Sequence, residues 1–197
     1  MRSSLVLPFV LMCIVGFSGV AATQTLDQQR CLSPDPDLSI GGCTAMIQSG
    51  LDTQENLARA FFHRGGAYLH KGQYDRAIEN YDQAVRLNPN IAAAFSNRGI
   101  AYAGKGQYDR AIEDYDQAIR LNPNYALAFN NRGIAYAGRG QYDRAIEDFD
   151  QAIRLNPNLA QAFDNRGLAL RTLGQQDRAA ADFATARQLN PNLPPPR

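Results

Sequence analysis

The sequence contains no tryptophan, only two histidines and only three cysteines. Its charges are balanced, with 20 Lys and Arg against 19 Asp and Glu, so it lacks the basic excess that marks a nucleic-acid-binding domain. It also lacks a phosphate-binding glycine loop, a paired-cysteine zinc motif and a nucleophile elbow. These absences argue against a nucleic-acid partner and against the enzyme classes that those motifs define.

The two histidines do not suggest a metal site. His63 and His70 are seven residues apart, which on a helix places them about 10 Å apart along the axis. Ligands of one metal ion must lie closer than that. No cofactor is expected, and without an activated Ser or Cys beside a histidine there is no catalytic triad. We therefore predict that the protein is not an enzyme; the remote alternative is an accessory subunit of one.

The first 22 residues have the layout of a secretory signal peptide. A short basic start is followed by an apolar run over residues 5–20 and by small residues ending at Ala22. We predict cleavage after Ala22; the alternative is an uncleaved anchor, although the run is short for a bilayer span and contains Pro8. Lipid attachment at Cys13 is disfavoured, because Met12 is too large for a lipobox. No second hydrophobic stretch follows, so no membrane insertion is expected after cleavage.

Export determines how the remaining cysteines are interpreted. Cys31 and Cys43 would enter an oxidising compartment, where two lone cysteines tend to pair. We predict a disulfide that stabilises the fold by ~2–3 kcal/mol; the alternative is two free buried thiols. The expected location is a bacterial periplasm, with secretion as the alternative.

The dominant feature of the sequence is an internal repeat of 34 residues. The segments 92–125 and 126–159 differ at only five positions, and weaker copies occupy 58–91 and 160–193 without insertions. The predicted organisation is therefore a lead-in over residues 23–57, four repeats, and a proline-rich tail over 194–197.

Each repeat has the pattern of two helices. In the second repeat these are Ala92–Gly104 and Tyr108–Leu121, separated by a glycine-rich turn and closed by Pro123. Two i,i+4 charge pairs, Arg110 with Asp114 and Asp116 with Arg120, are expected on a solvated outer face. One hairpin cannot bury both apolar faces, so the hairpins must stack on one another.

These positions resemble the tetratricopeptide repeat. The matching residues of the first helix are a large residue, Gly and Tyr: Phe61, Gly65 and Tyr68, and then Phe95, Gly99 and Tyr102, with equivalents in the later copies. The second helix matches at Ala77, Tyr81 and Ala84, and Pro89 closes it. All four copies depart from the family pattern by carrying Arg before the Gly. The resemblance implies an all-α, right-handed superhelical solenoid of four helix-turn-helix repeats with an N-terminal capping helix.

The ends of the array differ from its middle. The capping helix is predicted over Pro36–Ser49, with Asp35 or Asp37 as its N-cap and with Cys43 in the place of Tyr81. This two-cysteine start is similar to that of exported tetratricopeptide proteins of alphaproteobacteria. At the other end, the more polar last helix, Gln176–Leu189, is expected to act as its own cap.

In this family the first helices of the repeats line a concave groove that holds a peptide or a partner helix. The resemblance therefore implies a protein or peptide partner. Asn97, Asn131 and Asn165 recur every 34 residues, and an Asn amide can pair with both backbone groups of an extended chain. The alternative is that these amides bond locally or between repeats. The full set of candidate groove residues is Phe62, His63, Asn97, Ile100, Asn130, Asn131, Ile134, Asn165, Leu168 and Arg171.

Two further expectations concern the kind of partner. One subclass of the family binds chaperone C-termini through a Lys and Arg clamp, but this sequence has Phe62, Gly66 and Leu127 at clamp positions and keeps only Asn97. No chaperone-tail clamp is therefore predicted. The near-identity of the repeats leaves end-to-end self-association as an alternative function.

Overall fold

A computed structural model describes residues 26–50 and 52–193 of the chain. In these ranges the chain is all α-helical and contains no strand, which confirms the predicted fold class. The predicted signal peptide and its cleavage site, and the tail 194–197, lie outside the described residues. None of the described helices combines the length and the apolar character needed to cross a bilayer.

The lead-in folds as a helical turn and a capping helix. Residues 26–31 are helical, and helix α1 (Pro36–Ser49) follows within the predicted bounds. Of the two candidate caps it is Asp35 whose carboxylate accepts the backbone N–H groups of Asp37 and Leu38. The predicted disulfide between Cys31 and Cys43 is present, and it ties the turn to α1.

Four helical hairpins follow the lead-in. We call the first helix of each hairpin its A helix and the second its B helix. The pairs are α2 (Gln54–His70) with α3 (Tyr74–Leu87), α4 (Ala92–Gly104) with α5 (Tyr108–Leu121), α6 (Ala126–Gly138) with α7 (Tyr142–Leu155), and α8 (Ala160–Thr172) with α9 (Gln176–Leu189).

The first A helix is one turn longer than the other three. Helix α2 begins at Gln54, four residues before the repeat boundary at 58. Thr53 caps it by accepting the backbone N–H of Asn56. The later A helices begin at Ala92, Ala126 and Ala160, after an Asn-Pro-Asn turn that the lead-in lacks.

Within each hairpin the two helices meet where a glycine faces an aromatic ring. A Cβ atom on Gly99 would lie 2.8 Å from the Tyr115 ring, and one on Gly133 would lie 2.6 Å from the Phe149 ring. Contacts this short leave no room for any side chain. The expected pairing of small residues with aromatic ones is thus confirmed.

The array curves towards its A helices. Each A helix contacts the A helix of the next repeat, whereas the described B helices make no direct contact with one another. The A helices therefore line the inner side of the array, and we call their exposed side the inner surface. The B helices form the outer side.

The two predicted i,i+4 charge pairs are wrong, because the side chains bond between helices instead. Asp114 is buried, and both of its oxygens accept from Arg98, at 2.8 Å from Nε and 2.6 Å from Nη2. Arg98 also donates to Asp82 of the preceding B helix at 2.6 Å. Arg110 and Arg120 bond the side chains of Gln107 and Gln117.

This arrangement repeats along the array, and we call it the Arg–Asp ladder. One rung consists of Arg98 with Asp114 and Asp82. The other two rungs are Arg132 with Asp148 and Asp116, and Arg166 with Asp182 and Asp150. Each arginine joins two B helices and lies over the Phe ring three residues before it. The arginines that depart from the family pattern thus link successive repeats.

The first repeat has a neutral version of this rung. Arg64 donates to the Asn80 amide oxygen at 2.8 Å and to the Thr44 hydroxyl at 3.0 Å. Asn80 stands where Asp114 stands one repeat later, and Thr44 of the capping helix stands where Asp82 does. The capping helix therefore takes the place of a preceding B helix.

Candidate binding surface on the A helices

The two sides of the array differ sharply in charge. Helix α4 contains one charged residue, Arg98, and α6 contains one, Arg132, and both belong to the ladder. The B helices α5 and α7 contain six charged residues each. A neutral inner surface suits a protein contact, because charged residues are depleted at the centres of protein interfaces.

The middle of the inner surface presents apolar and amide groups together. Leu127 and Ile134 of α6 are 49% and 43% exposed, which is unusual for large aliphatic side chains in this structure. Asn131 lies between them on the same helix face, four residues after one and three before the other. Each of these three side chains is therefore available to a guest chain.

The asparagines do not form a uniform ladder. Asn165 donates to the Asn130 oxygen at 3.0 Å, and Asn130 donates to the Asn131 oxygen at 3.2 Å. This chain of bonds joins α6 to α8, and it is the inter-repeat bonding that the sequence left open as an alternative. Asn131 still has its amide N–H groups, and Asn165 still has its amide oxygen. Asn97 faces a different environment in repeat 1.

A pocket closes the amino-terminal end of the inner surface, and we call it the amino-terminal pocket. It brings together the predicted residues Phe62, His63 and Asn97. Its volume is about 210 Å³, below the roughly 300–1,000 Å³ typical of sites for whole small molecules. The complete lining is Ser33, Pro34, Pro36, Ser39, Phe62, His63, Gly66, Ala67, His70 and Asn97.

The disulfide-bound turn forms one wall of this pocket. Ser39 of α1 donates from its hydroxyl to the Cys31 carbonyl at 2.8 Å, which holds the turn in place. Opposite this wall, the Phe62 ring packs edge-on against His63, with ring centroids 5.3 Å apart. Burial, together with the charge of Arg59, lowers the pKa of His63, so its imidazole is neutral at pH 7.

A buried hydroxyl lies beneath the pocket. The Tyr81 side chain is fully buried, and its hydroxyl has no hydrogen-bond partner. The Asn97 side chain approaches it, but the two groups do not meet in hydrogen-bonding geometry. A Cβ atom on Gly66 would lie 3.7 Å from the hydroxyl oxygen, which places that oxygen next to two lining residues. Burial raises the pKa of Tyr81, so the hydroxyl keeps its proton.

Three of the predicted residues contribute to packing as well as to the surface. Ile100 is half-buried against the cluster that contains Tyr115, and Leu168 against the cluster that contains Phe183. The Arg171 guanidinium lies 5.5 Å from the centre of the Phe183 ring. The structure therefore places these residues along the A helices without joining them into one pocket.

Sequence reasoning missed several residues of this surface. Leu127 was considered only as a departure from the chaperone clamp, and the lead-in residues Pro34 and Pro36 were not assigned to the surface. The signal for Leu127 was available, because an exposed Leu stands where the other repeats have Ala. In the part of the chain that the structure describes, no three His, Cys, Asp or Glu side chains form a group that can hold a metal ion.

Stacked helical hairpins with an open inner face define a helical-repeat solenoid. Family models for the tetratricopeptide repeat match residues 96–160 and 130–194, and a further TPR repeat model matches 65–106. The chain therefore belongs to the tetratricopeptide-repeat family. No curated protein shows significant sequence similarity to it.

Solved structures share this fold. A crystal structure of MamA is 25% identical, matched over 84% of this chain and 95% of its own, with a TM-score of 0.73. MamA from Desulfovibrio magneticus RS-1 is 21% identical over 87% and 94%, with a TM-score of 0.74, and shows the fold alone. The first TPR domain of Spaghetti (RPAP3), bound to the HSP90 peptide SRMEEVD, is 27% identical over 62% and 96%, with a TM-score of 0.59.

Proposed function

We propose that the protein is a non-catalytic scaffold whose inner surface binds an extended segment of a partner protein. The observation that carries the proposal is the exposed set Leu127, Asn131 and Ile134 on an otherwise uncharged inner face. Aliphatic side chains contribute contact area, and the Asn amide can pair with the backbone N–H and C=O of a guest. A relative of the same fold binds a peptide, which supports this mode.

The partner segment differs in kind from a chaperone tail. This chain has Phe62, Gly66 and Leu127 where the chaperone clamp of the family has Lys or Asn. A terminal carboxylate would therefore lack the cations that neutralise it in such a clamp. We expect an internal, mostly uncharged segment instead.

We also infer that the protein works in an oxidising compartment, most simply a bacterial periplasm. The disulfide between Cys31 and Cys43 supports this location, because such bonds persist mainly outside the cytosol. The predicted signal peptide is a second support. Detecting the protein in the periplasmic fraction, without residues 1–22, would test both inferences.

Self-association by end-to-end stacking is the alternative, and the last helix disfavours it. Ile112 and Ile146 pack towards the following repeat, but Ala180 takes their place in α9. Arg187 stands where Ile119 and Ile153 stand, and it is exposed. A fifth hairpin or a second copy would find little apolar surface there. Light scattering should give a monomer; a concentration-dependent increase in mass would favour the alternative.

The proposal is tested by truncating the amides of the inner surface. Replacing Asn97 and Asn131 by Ala should reduce co-purification of the partner with the protein, while the melting temperature changes little. Glu113→Ala, on the exposed outer face, is the matched control and should leave both unchanged. A large loss of stability in the double variant, with partner binding retained, would mean that these amides are structural.

A further inference from the structure

The amino-terminal pocket has a feature that distinguishes it from the rest of the inner surface. None of its ten lining residues is Lys, Arg, Asp or Glu, yet polar groups of Asn97, His63 and His70 face it. The remaining walls are the Phe62 ring and the prolines of the disulfide-bound turn. The pocket is therefore uncharged and polar at some points, with apolar walls between them.

An unused hydrogen-bond donor lies at the base of this pocket. The Tyr81 hydroxyl is buried, protonated and without a partner, and buried polar groups are normally bonded. In the third and fourth repeats the equivalent residues are Phe149 and Phe183, which shows that the ring packs without a hydroxyl. The hydroxyl at position 81 is thus not required by the fold.

We propose that the amino-terminal pocket binds the carboxamide side chain of an Asn or Gln residue in the partner segment. This inference rests on the proposed function, because it names the residue that anchors the guest on the inner surface. The Tyr81 hydroxyl donates to the carboxamide oxygen. The Asn97 side-chain oxygen accepts from the carboxamide nitrogen, and Phe62 and Pro36 contact the aliphatic stem.

The other classes of side chain fit the pocket less well. A carboxylate would be removed from water with no cation among the lining residues, and a buried unpaired charge is costly. An ammonium or guanidinium group would meet no carboxylate there either. An aliphatic side chain would leave the Tyr81 hydroxyl and the Asn97 amide unsatisfied. A carboxamide is neutral and offers both a donor and an acceptor.

The test uses capped pentapeptides of alanine whose central residue is Gln, Glu or Leu, with acetyl and N-methylamide ends. Each is titrated into the ¹⁵N-labelled, oxidised protein, and binding is followed by amide chemical shifts. The Gln peptide should bind most tightly and should shift the signals of Gly66 and Asn97. Tyr81→Phe should weaken Gln binding about three- to tenfold, the range expected for one net hydrogen bond, and leave Leu binding unchanged.

Matched variants separate the pocket from general folding effects. Tyr115→Phe makes the same change one repeat further on, outside the pocket lining, and should not alter binding. Gly66→Ala should keep the protein folded, because its Cβ lies at an ordinary contact distance and Ala favours the helix. Its methyl group covers the Tyr81 hydroxyl, so Gln binding should fall as in Tyr81→Phe.

Each other outcome overturns the inference in a recognisable way. Tighter binding of the Glu peptide, or no effect of Tyr81→Phe, would show that the pocket does not select a carboxamide. Shifts confined to Asn131 and Ile134 would leave the proposed function standing and remove the pocket as its anchor. If no peptide perturbs any residue of the inner surface, both the inference and the proposed function fail.

Discussion

The first repeat and the three that follow it use the same arginine in opposite electrostatic settings. In the later repeats each ladder arginine meets two aspartates, and the bond to Asp114 raises the pKa of Arg98. In the first repeat Arg64 meets only neutral partners, and burial lowers its pKa. The geometry of the rung is kept while its charge is not, because the partner of repeat 1 is the capping helix.

This difference separates two tasks within one chain. Repeats 2–4 are nearly interchangeable, and their ionic rungs set the register of successive hairpins. The amino-terminal end departs from the repeat pattern at Thr44, Phe62 and Asn80, and it is there that the inner surface forms a pocket. Stacking is thus assigned to the regular part of the chain, and the selection of a guest to the irregular part.

Breaking an ionic rung should have the largest effect on stability. Asp114→Ala leaves Arg98 without the buried carboxylate that accepts two of its hydrogen bonds, which should lower the free energy of unfolding by about 3 kcal/mol. The matched change in the first repeat, Asn80→Ala, removes a neutral acceptor and should cost about 1 kcal/mol. Urea denaturation followed by circular dichroism measures both. Equal losses would show that charge does not distinguish the rungs.

Removing the disulfide should affect the two regions unequally. Replacing Cys31 and Cys43 by Ala frees a bridge between residues 12 apart and should cost about 2–3 kcal/mol. Because repeats contact mainly their neighbours, amide hydrogen exchange should accelerate in α1 and α2 and change little in α8. Uniform acceleration along the array would contradict this separation.

Supplying the missing charge should make the first rung resemble the others. Asn80→Asp gives Arg64 a carboxylate partner and should raise the free energy of unfolding by about 1 kcal/mol. The gain is limited because the Asn80 amide now donates to the Arg76 carbonyl at 2.7 Å, a bond that the variant loses. The reciprocal Asp114→Asn should destabilise the protein. A lower melting temperature for Asn80→Asp would mean that the neutral rung is the better solution beside the capping helix.

The smallest expected effect is a pH dependence confined to the first repeat. The pKa of His63 is lowered in the folded protein, so the unfolded chain takes up a proton first as the pH falls. Stability contributed by the neutral imidazole should therefore be present above the ordinary histidine pKa and decrease below it. His63→Gln should make the melting temperature fall less between pH 7.5 and 5.5. The same slope in both proteins would exclude His63 as the source.

The helices could be predicted from the sequence because a fixed period and its punctuation repeat the same information four times. The prolines and glycines bound α4, α5 and α9 at the residues that the structure shows. The start of α2 could not be placed, because Thr53 caps it without the turn that precedes the later A helices. Capping by a single side chain is a weaker signal than a repeated motif.

Charge pairing and the pocket could not be predicted, for a common reason. Asp114 is spaced for an i,i+4 pair with Arg110, but it bonds Arg98 sixteen residues earlier, and helical periodicity alone does not choose between them. The Arg that departs from the family pattern was the available clue. The pocket depends on how the lead-in turn lies over α2, and a sequence that occurs once offers no repeat to compare it with.

The central claim, that the inner surface holds a guest chain and the outer face does not, can be tested by photo-crosslinking in the native compartment. A crosslinking amino acid at Ile134 probes the inner surface, and one at Glu113 probes the outer face. The account predicts that position 134 captures a discrete partner, and that Asn97→Ala with Asn131→Ala abolishes the product. Capture at position 113 alone, or equal capture at both positions, would contradict it.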